Sequence, residues 1–249
     1  MNKNIKLLTA LSFTLLFINI PVVLAQPFVD IETGVMFSGY NDVQIPKSTG
    51  TRISLSQELK TDPAFFYRLR LTYTFNKKHT ISALYAPLKL YGSGQVNDTV
   101  KFEGVTFSPN TPLKSTYMFN SYRLTYRYNF IQNDKMQFGL GFTAKIRDAA
   151  ITLESADTIS RKPNVGFVPI INFNFQWMFT NALSFLLNGD ALGAPQGRAE
   201  DVLTAIQYNM NKNVDIRLGY RILEGGANVE QVYNFTLINY LIFGITYRF

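Results

Sequence analysis

Apolar and polar residues alternate with a period of two along almost the whole chain after residue 25, and no stretch there holds a helical period. In "FYRLRLTYTF", Tyr67, Leu69, Leu71, Tyr73 and Phe75 form one face, and Phe66, Arg68, Arg70, Thr72 and Thr74 the other. "SYRLTYRYNF" sets Tyr122, Leu124, Tyr126, Tyr128 and Phe130 against Ser121, Arg123, Thr125, Arg127 and Asn129. "INFNFQWMF" sets Ile171, Phe173, Phe175, Trp177 and Phe179 against Asn172, Asn174, Gln176 and Met178. The last residues set Leu241, Phe243, Ile245, Tyr247 and Phe249 against Ile242, Gly244, Thr246 and Arg248. Each segment predicts a strand with one apolar and one polar face.

The connections are of two kinds. "NKKH" (76–79), "IQNDK" (131–135), "TNA" (180–182) and "NKN" (211–213) are short polar turns. The others are longer and run through 40–63, 92–113, 155–166, 193–199 and 225–231. Short and long alternate, which predicts ten strands starting near 28, 64, 80, 115, 136, 167, 183, 201, 214 and 232. Eight is the alternative if the first or seventh is not a strand. An even number brings both ends to one side, so the expected fold is all-β, a transmembrane antiparallel up-and-down β-barrel. Within the first long connection, "SLSQEL" (54–59) reads as one helical turn capped by Ser54, or as an extension of strand two.

Alternation alone does not say which face points inward, since a soluble barrel of the lipocalin kind reverses the two. Three features favour apolar faces outward, in lipid. Several strands exceed ten residues, whereas soluble strands average about five or six. The connections are short on one side only. Large residues also pair at the short-turn ends: Tyr73 with Phe75, Tyr128 with Phe130, Trp177 with Phe179, Tyr208 with Met210, and Tyr247 with Phe249. At one level around a barrel they make an aromatic girdle at the periplasmic interface, where a ring can keep one end apolar and the other wet.

The 249 residues have a mean hydropathy near zero, which excludes a bundle of membrane helices. One long apolar run exists, at the start. Lys3 and Lys6 precede an apolar core from Leu7 to Ile20, Pro21 breaks it, and Val23 and Ala25 stand three residues and one before a cut. Residues 1–25 thus read as a signal peptide and 26–249 as the barrel. The chain carries 24 basic and 17 acidic residues; the leader takes away Lys3 and Lys6 and no acid, leaving 22 basic residues and a net +5. For an exported chain that excess points away from nucleic acid and toward anionic solutes or outer-membrane lipids, lipopolysaccharide included. The absence of cysteine excludes thiolate metal sites, thiol catalysis and disulfides, and neither metal nor other cofactor is expected. A monomer is the expected state.

With apolar faces outward, the bore receives Asp30, Glu32, Arg68, Arg70, Arg123, Arg127, Lys145, Arg147, Asp190, Asp215, Arg217, Arg221 and Arg248. Beyond Arg147 the alternation slips, because Ala149, Ile151 and Leu153 look outward; a bulge there would turn Asp148 inward. These charges either pair and fill a nearly closed interior or leave surplus arginines along an anion path. Ten strands enclose little space, which favours the closed interior. Gln196, Arg198, Asp201 and Glu224 are expected at the extracellular rim, as ordinary loop chemistry or as a ligand-binding edge.

Over residues 26–249 the chain resembles the small outer-membrane β-barrels of Gram-negative bacteria. The phrases "NSYRLTYRY", "GFTAKIRDAAI", "APQGRAEDV", "GYRILEGGA" and "VYNF" are similar to one group of them that carries no assigned activity. The terminal Phe249 resembles their carboxy-terminal signal to the outer-membrane assembly machinery. The resemblance implies fold and outer-membrane location and no mechanism. Barrel families that are lipid A deacylases, palmitoyltransferases, phospholipases or omptin-type proteases use a histidine near the outer leaflet. The one histidine, His79, falls in a short turn at the opposite end, so no catalytic residue is expected. A non-enzymatic structural or surface-interaction barrel leads, ahead of a narrow anion-preferring channel and a lipid-modifying enzyme.

Overall fold

The computed structural model describes residues 26–249; the expected signal peptide, residues 1–25, lies outside the described residues. The strands are β1 (Gln26–Gln44), β2 (Ile53–Ser54), β3 (Ala64–Phe75), β4 (His79–Ala86), β5 (Lys89–Gln95), β6 (Val100–Phe102) and β7 (Val105–Phe107). They continue as β8 (Pro112–Gln132), β9 (Met136–Glu154), β10 (Ile159–Met178), β11 (Leu183–Ala194), β12 (Gly197–Asn209), β13 (Val214–Val229) and β14 (Val232–Arg248). Ten strand positions close into an antiparallel barrel: β1, β3, β4 continued by β5, and β8 to β14. Closure is by β14 on β1, from Phe28 opposite Arg248 to Gln44 opposite Tyr233, with one bulge in β1 between Ser38 and Tyr40. The two extra members of the sheet are β2, at the edge of β1, and β5, which pairs with β8 beyond the break at Pro87.

The short turns lie where the sequence places them. Asn76 and Lys77 take positive φ (49° and 58°) to reverse the chain between β3 and β4, and asparagine is among the residues that tolerate that region best. The long connections differ from expectation. Three of them, 155–166, 193–199 and 225–231, are mostly paired strand: β9 and β10 pair out to Glu154 opposite Ile159, β11 and β12 to Ala194 opposite Gly197, and β13 and β14 to Val229 opposite Val232. Their Gly, Pro and polar residues read as loops, yet the backbone hydrogen bonds run on past the apolar band to the hairpin tips.

Leu71, Leu124, Phe142, Phe167, Leu218 and Leu241 all point outward and are exposed, forming an apolar band around the wall. No water is available in hydrocarbon to satisfy a backbone group, and a closed barrel leaves none unpaired along its wall. The expected girdle residues Tyr73, Phe130, Trp177, Phe179, Tyr208, Met210, Tyr247 and Phe249 are exposed at the inner end, with Phe75 and Tyr128 half-buried among them. Rings touch within the pairs, as in Trp177 with Phe179 at 5.0 Å between centroids.

Toward the outer end the rule inverts. The outward face turns polar at Asn120, Asp148, Glu200 and Glu224, while the inward face turns apolar. Ile151 and Leu153 therefore point inward, not outward as expected, and are buried. Neither partner of β9 shifts register there, so the bulge expected to turn Asp148 inward does not exist. Asp148 stays on the outside and accepts a hydrogen bond from Asn120 Nδ2 at 3.2 Å. The "slip" is this change of polarity above the band, with strict alternation preserved.

The apolar inward face is covered by the first and second outer connections, which fold into the barrel mouth as a plug. Ile45, Ile53, Leu55 and Leu59 from the first meet Val100, Phe102 and Phe107 from the β6–β7 hairpin, all buried. The backbone ties the two together through Thr51 N to Lys101 O (2.8 Å) and Glu103 N to Ile45 O (2.9 Å). The "SLSQEL" segment is one helical turn: Glu58 N donates to Ser54 O, Ser54 Oγ accepts from Gln57 N, and the Glu58 carboxylate accepts from Ser54 N. The two bonds are reciprocal as in a capping box, except that the returning carboxylate stands four residues after Ser54 and not three.

Candidate functional site

Midway along the bore, four acids and four arginines meet in one network: Asp30, Glu32, Asp190 and Asp201 with Arg68, Arg123, Arg217 and Arg221. Formal charges cancel within it. Asp201 on β12 is the hub, taking Arg68 at 2.9 Å and Arg123 at 2.5 Å on Oδ2, and Arg221 at 2.5 Å on Oδ1. Glu32 on β1 accepts from Arg217 at 2.9 Å and from Arg221 at 2.8 Å. Arg68 Nε lies 3.3 Å from Glu32 Oε2 as an ion pair whose angle makes no hydrogen bond. Asp30 takes both terminal nitrogens of Arg217, and Thr246 Oγ1 at 2.6 Å. Asp190 takes Arg123 at 2.6 Å, Thr143 Oγ1 at 2.6 Å and Asn172 Nδ2 at 2.9 Å. Charge-assisted and bidentate bonds of this kind are how a buried carboxylate meets the cost of leaving water.

Asp201 was expected at the rim and sits in the middle instead. The reason is length: β12 begins at Gly197, four residues before the expected start, so Asp201 is an interior, inward-facing position. A second residue gave no signal in side-chain chemistry. Gly244 faces inward beside Arg217, and a Cβ built there would stand 2.6 Å from Arg217 Cζ. Glycine inside a strand marks such a close approach.

The remaining inward cations lie on either side of the network. Arg70 and Arg127 line a cavity of about 240 Å³ at the inner end, with Thr72, Ser82 and Asn174 among its polar walls. Among the described residues Arg127 reaches only Asn129 and Asn172, each at 3.4 Å. At the inner mouth Arg248 pairs with Asp215, which also accepts from Gln207 at 3.1 Å. Lys145 and Arg147 line a larger cavity, about 450 Å³, at the outer end. The two cavities share no lining residue, and Arg68, Arg123, Asp190, Asp201 and Arg221 belong to neither.

Of the expected rim, Gln196 lies in the β11–β12 turn, while Arg198 and Glu224 pair on the outer wall through two bonds of 2.8 Å. The guanidinium of Arg198 stacks on Phe235 at 4.8 Å. Tyr40 donates to Glu224. His79 is at the inner end, stacked on Phe75 at 5.0 Å with its Nδ1 2.9 Å from the Tyr126 hydroxyl. Among the described residues no group of three His, Cys, Asp or Glu side chains is placed to hold a metal ion.

No protein-family model matches the chain, and no curated protein is similar to it. Among solved structures it is similar to the outer membrane protease OmpT from Escherichia coli, at 10% identity and a TM-score of 0.54, covering 90% of this chain and 97% of that one. It is also similar to Neisserial surface protein A, at 14% identity and TM-score 0.36 over 90% and 99% of the two chains. The outer membrane protein OprG from Pseudomonas aeruginosa gives 12% identity and TM-score 0.39 over 90% and 96%. The likeness is one of fold: an outer-membrane β-barrel.

Proposed function

We propose that the protein is a closed, non-enzymatic barrel of a Gram-negative outer membrane, whose bore holds it shut and whose outer end carries the interaction. One observation carries this reading: the neutral network of four acids and four arginines separates two cavities that have no lining residue in common. An ion crossing it would have to part bonds of 2.5–2.9 Å between desolvated charges. The polar side chains of a hydrolytic site are not left free there either, since each network carboxylate is engaged by arginine. The only histidine is at the inner end, within the aromatic girdle.

The runner-up, a narrow anion-preferring channel, draws on Arg70 and Arg127, which face the inner cavity without a carboxylate partner among the described residues. Single-channel recording from the refolded barrel in a planar bilayer, under a salt gradient, separates the two. A silent bilayer is expected, with folding verified by the heat-dependent gel shift. Steady anion-selective steps would overturn the closed reading and promote those two arginines. Outer-membrane lipids, and the assembly machinery acting on Phe249, are the proposed partners; loss of surface-exposed barrel on deleting Phe249, with refolding in vitro unchanged, is the expected sign of the latter.

A further inference from the structure

The outer cavity is built unlike the rest of the bore. Its walls are mainly apolar, with Tyr117, Phe119, Val168, Leu192 and Leu223 among them, and it runs from Lys145 up to the hairpin tips around Gln196 and Gln231. Four cations outside the neutral network line it: Lys162 and Arg198 pair with Glu103 and Glu224, while Lys145 and Arg147 have no carboxylate partner among the described residues. Lys145 is only 2% exposed and makes no ion pair and no hydrogen bond among the described residues; its ammonium faces the Phe119 ring at 4.8 Å. Arg147 donates to Asn164, while its Nε is buried without a partner. Unpaired cations inside apolar walls are costly, and here they sit at the deep end of a cavity within the usual range for small-molecule sites, about 300–1,000 Å³.

We infer that this cavity binds an anionic amphiphile, a medium-chain carboxylate whose head pairs with Lys145 and Arg147 and whose alkyl chain lies along the apolar wall. Entry is from the outer aqueous side, because the hairpin tips line the cavity and the network closes it below. Each half of the ligand answers one half of the site. The carboxylate supplies the missing counter-charge, and each buried methylene contributes about 0.8 kcal/mol from area removed from water.

The test is equilibrium dialysis of radiolabelled octanoate against the mature barrel in phosphatidylcholine nanodiscs, with empty nanodiscs as reference. One saturable octanoate per barrel above the reference is expected. Butyrate, which lacks the chain, and octan-1-ol, which lacks the charge, should fail to displace it at equal concentration. Lys145→Met with Arg147→Gln should weaken binding at least tenfold. Leu192→Trp, which keeps both charges and fills the apolar wall, should weaken it similarly and serves should the charge variant not fold. No binding above empty nanodiscs by a barrel shown to be folded would overturn the inference. So would displacement by octan-1-ol as effective as by octanoate, or undiminished binding by either variant. Bilayer currents test the closed bore and dialysis tests the cavity, so either reading can fail alone.

Discussion

At the scale of single residues, Asp201 concentrates the most consequence, because three guanidinium groups share its carboxylate. Asp201→Ala would leave them buried without that counter-charge, and a loss of about 3–5 kcal/mol is expected, read from urea unfolding followed by gel mobility. Arg198→Gln, three positions away on the outer wall with its side chain half exposed, should shift the same curve by less than about 1 kcal/mol. Gly244→Ala tests the network without removing a charge: the added methyl meets Arg217, and a cost of about 1–3 kcal/mol is expected by the same measurement. Most of the network was legible in the sequence, since a charge on the polar face of an alternating strand has only the bore to enter. Asp201 was not, because its neighbours "APQGRA" carry turn residues that hide the start of β12. Asp148 was misread for a related reason: a charge on the face that lower down is apolar looks like a register error until the band is known to have ended.

Among the elements, the outer plug and the charged network are rival seals, and they can be separated. Asn110 N already donates to Val96 O at 2.8 Å, so a short link can replace residues 98–109 with the chain ends adjacent. That deletion removes Val100, Phe102 and Phe107 from the plug and breaks the pair of Lys162 with Glu103. The barrel should still fold, shown by gel shift, and should remain silent in a planar bilayer, because the network lies deeper. Current after the deletion would place the seal in the plug. The plug's existence was not readable from periodicity, since its segments are too short to show one. What could have announced it is the run of apolar residues in a polar connection, Val100, Phe102, Val105 and Phe107, at spacings that alternate on a two-stranded hairpin.

Over the whole molecule, strand length exceeds the thickness of hydrocarbon. The 21 residues of β8 extend roughly 70 Å along the strand, against an apolar band of about 25 Å in such barrels. Even with tilt, the outer end must stand clear of the lipid, which is why its inward face follows the rule of a soluble barrel. The absence of cysteine makes that orientation directly measurable. A membrane-impermeant maleimide on intact cells should label Ala156→Cys, at the β9–β10 tip, and spare Asn181→Cys, in a short inner turn; the reverse pattern would invert the barrel. The network also bears on how the chain gets there. Arg221–Asp201 and Arg68–Glu32 join neighbouring strands, but Arg217 and Asp30 are 187 positions apart and Arg123 and Asp201 are 78 apart, so these two bonds cannot form while the sheet is an open ribbon. Until the last strand meets the first, eight ionised side chains on one face have no low-dielectric place to go. Insertion and closure are therefore coupled into one cooperative event, and a barrel stalled before its seam is zipped would be held at the membrane surface by its own uncompensated charge.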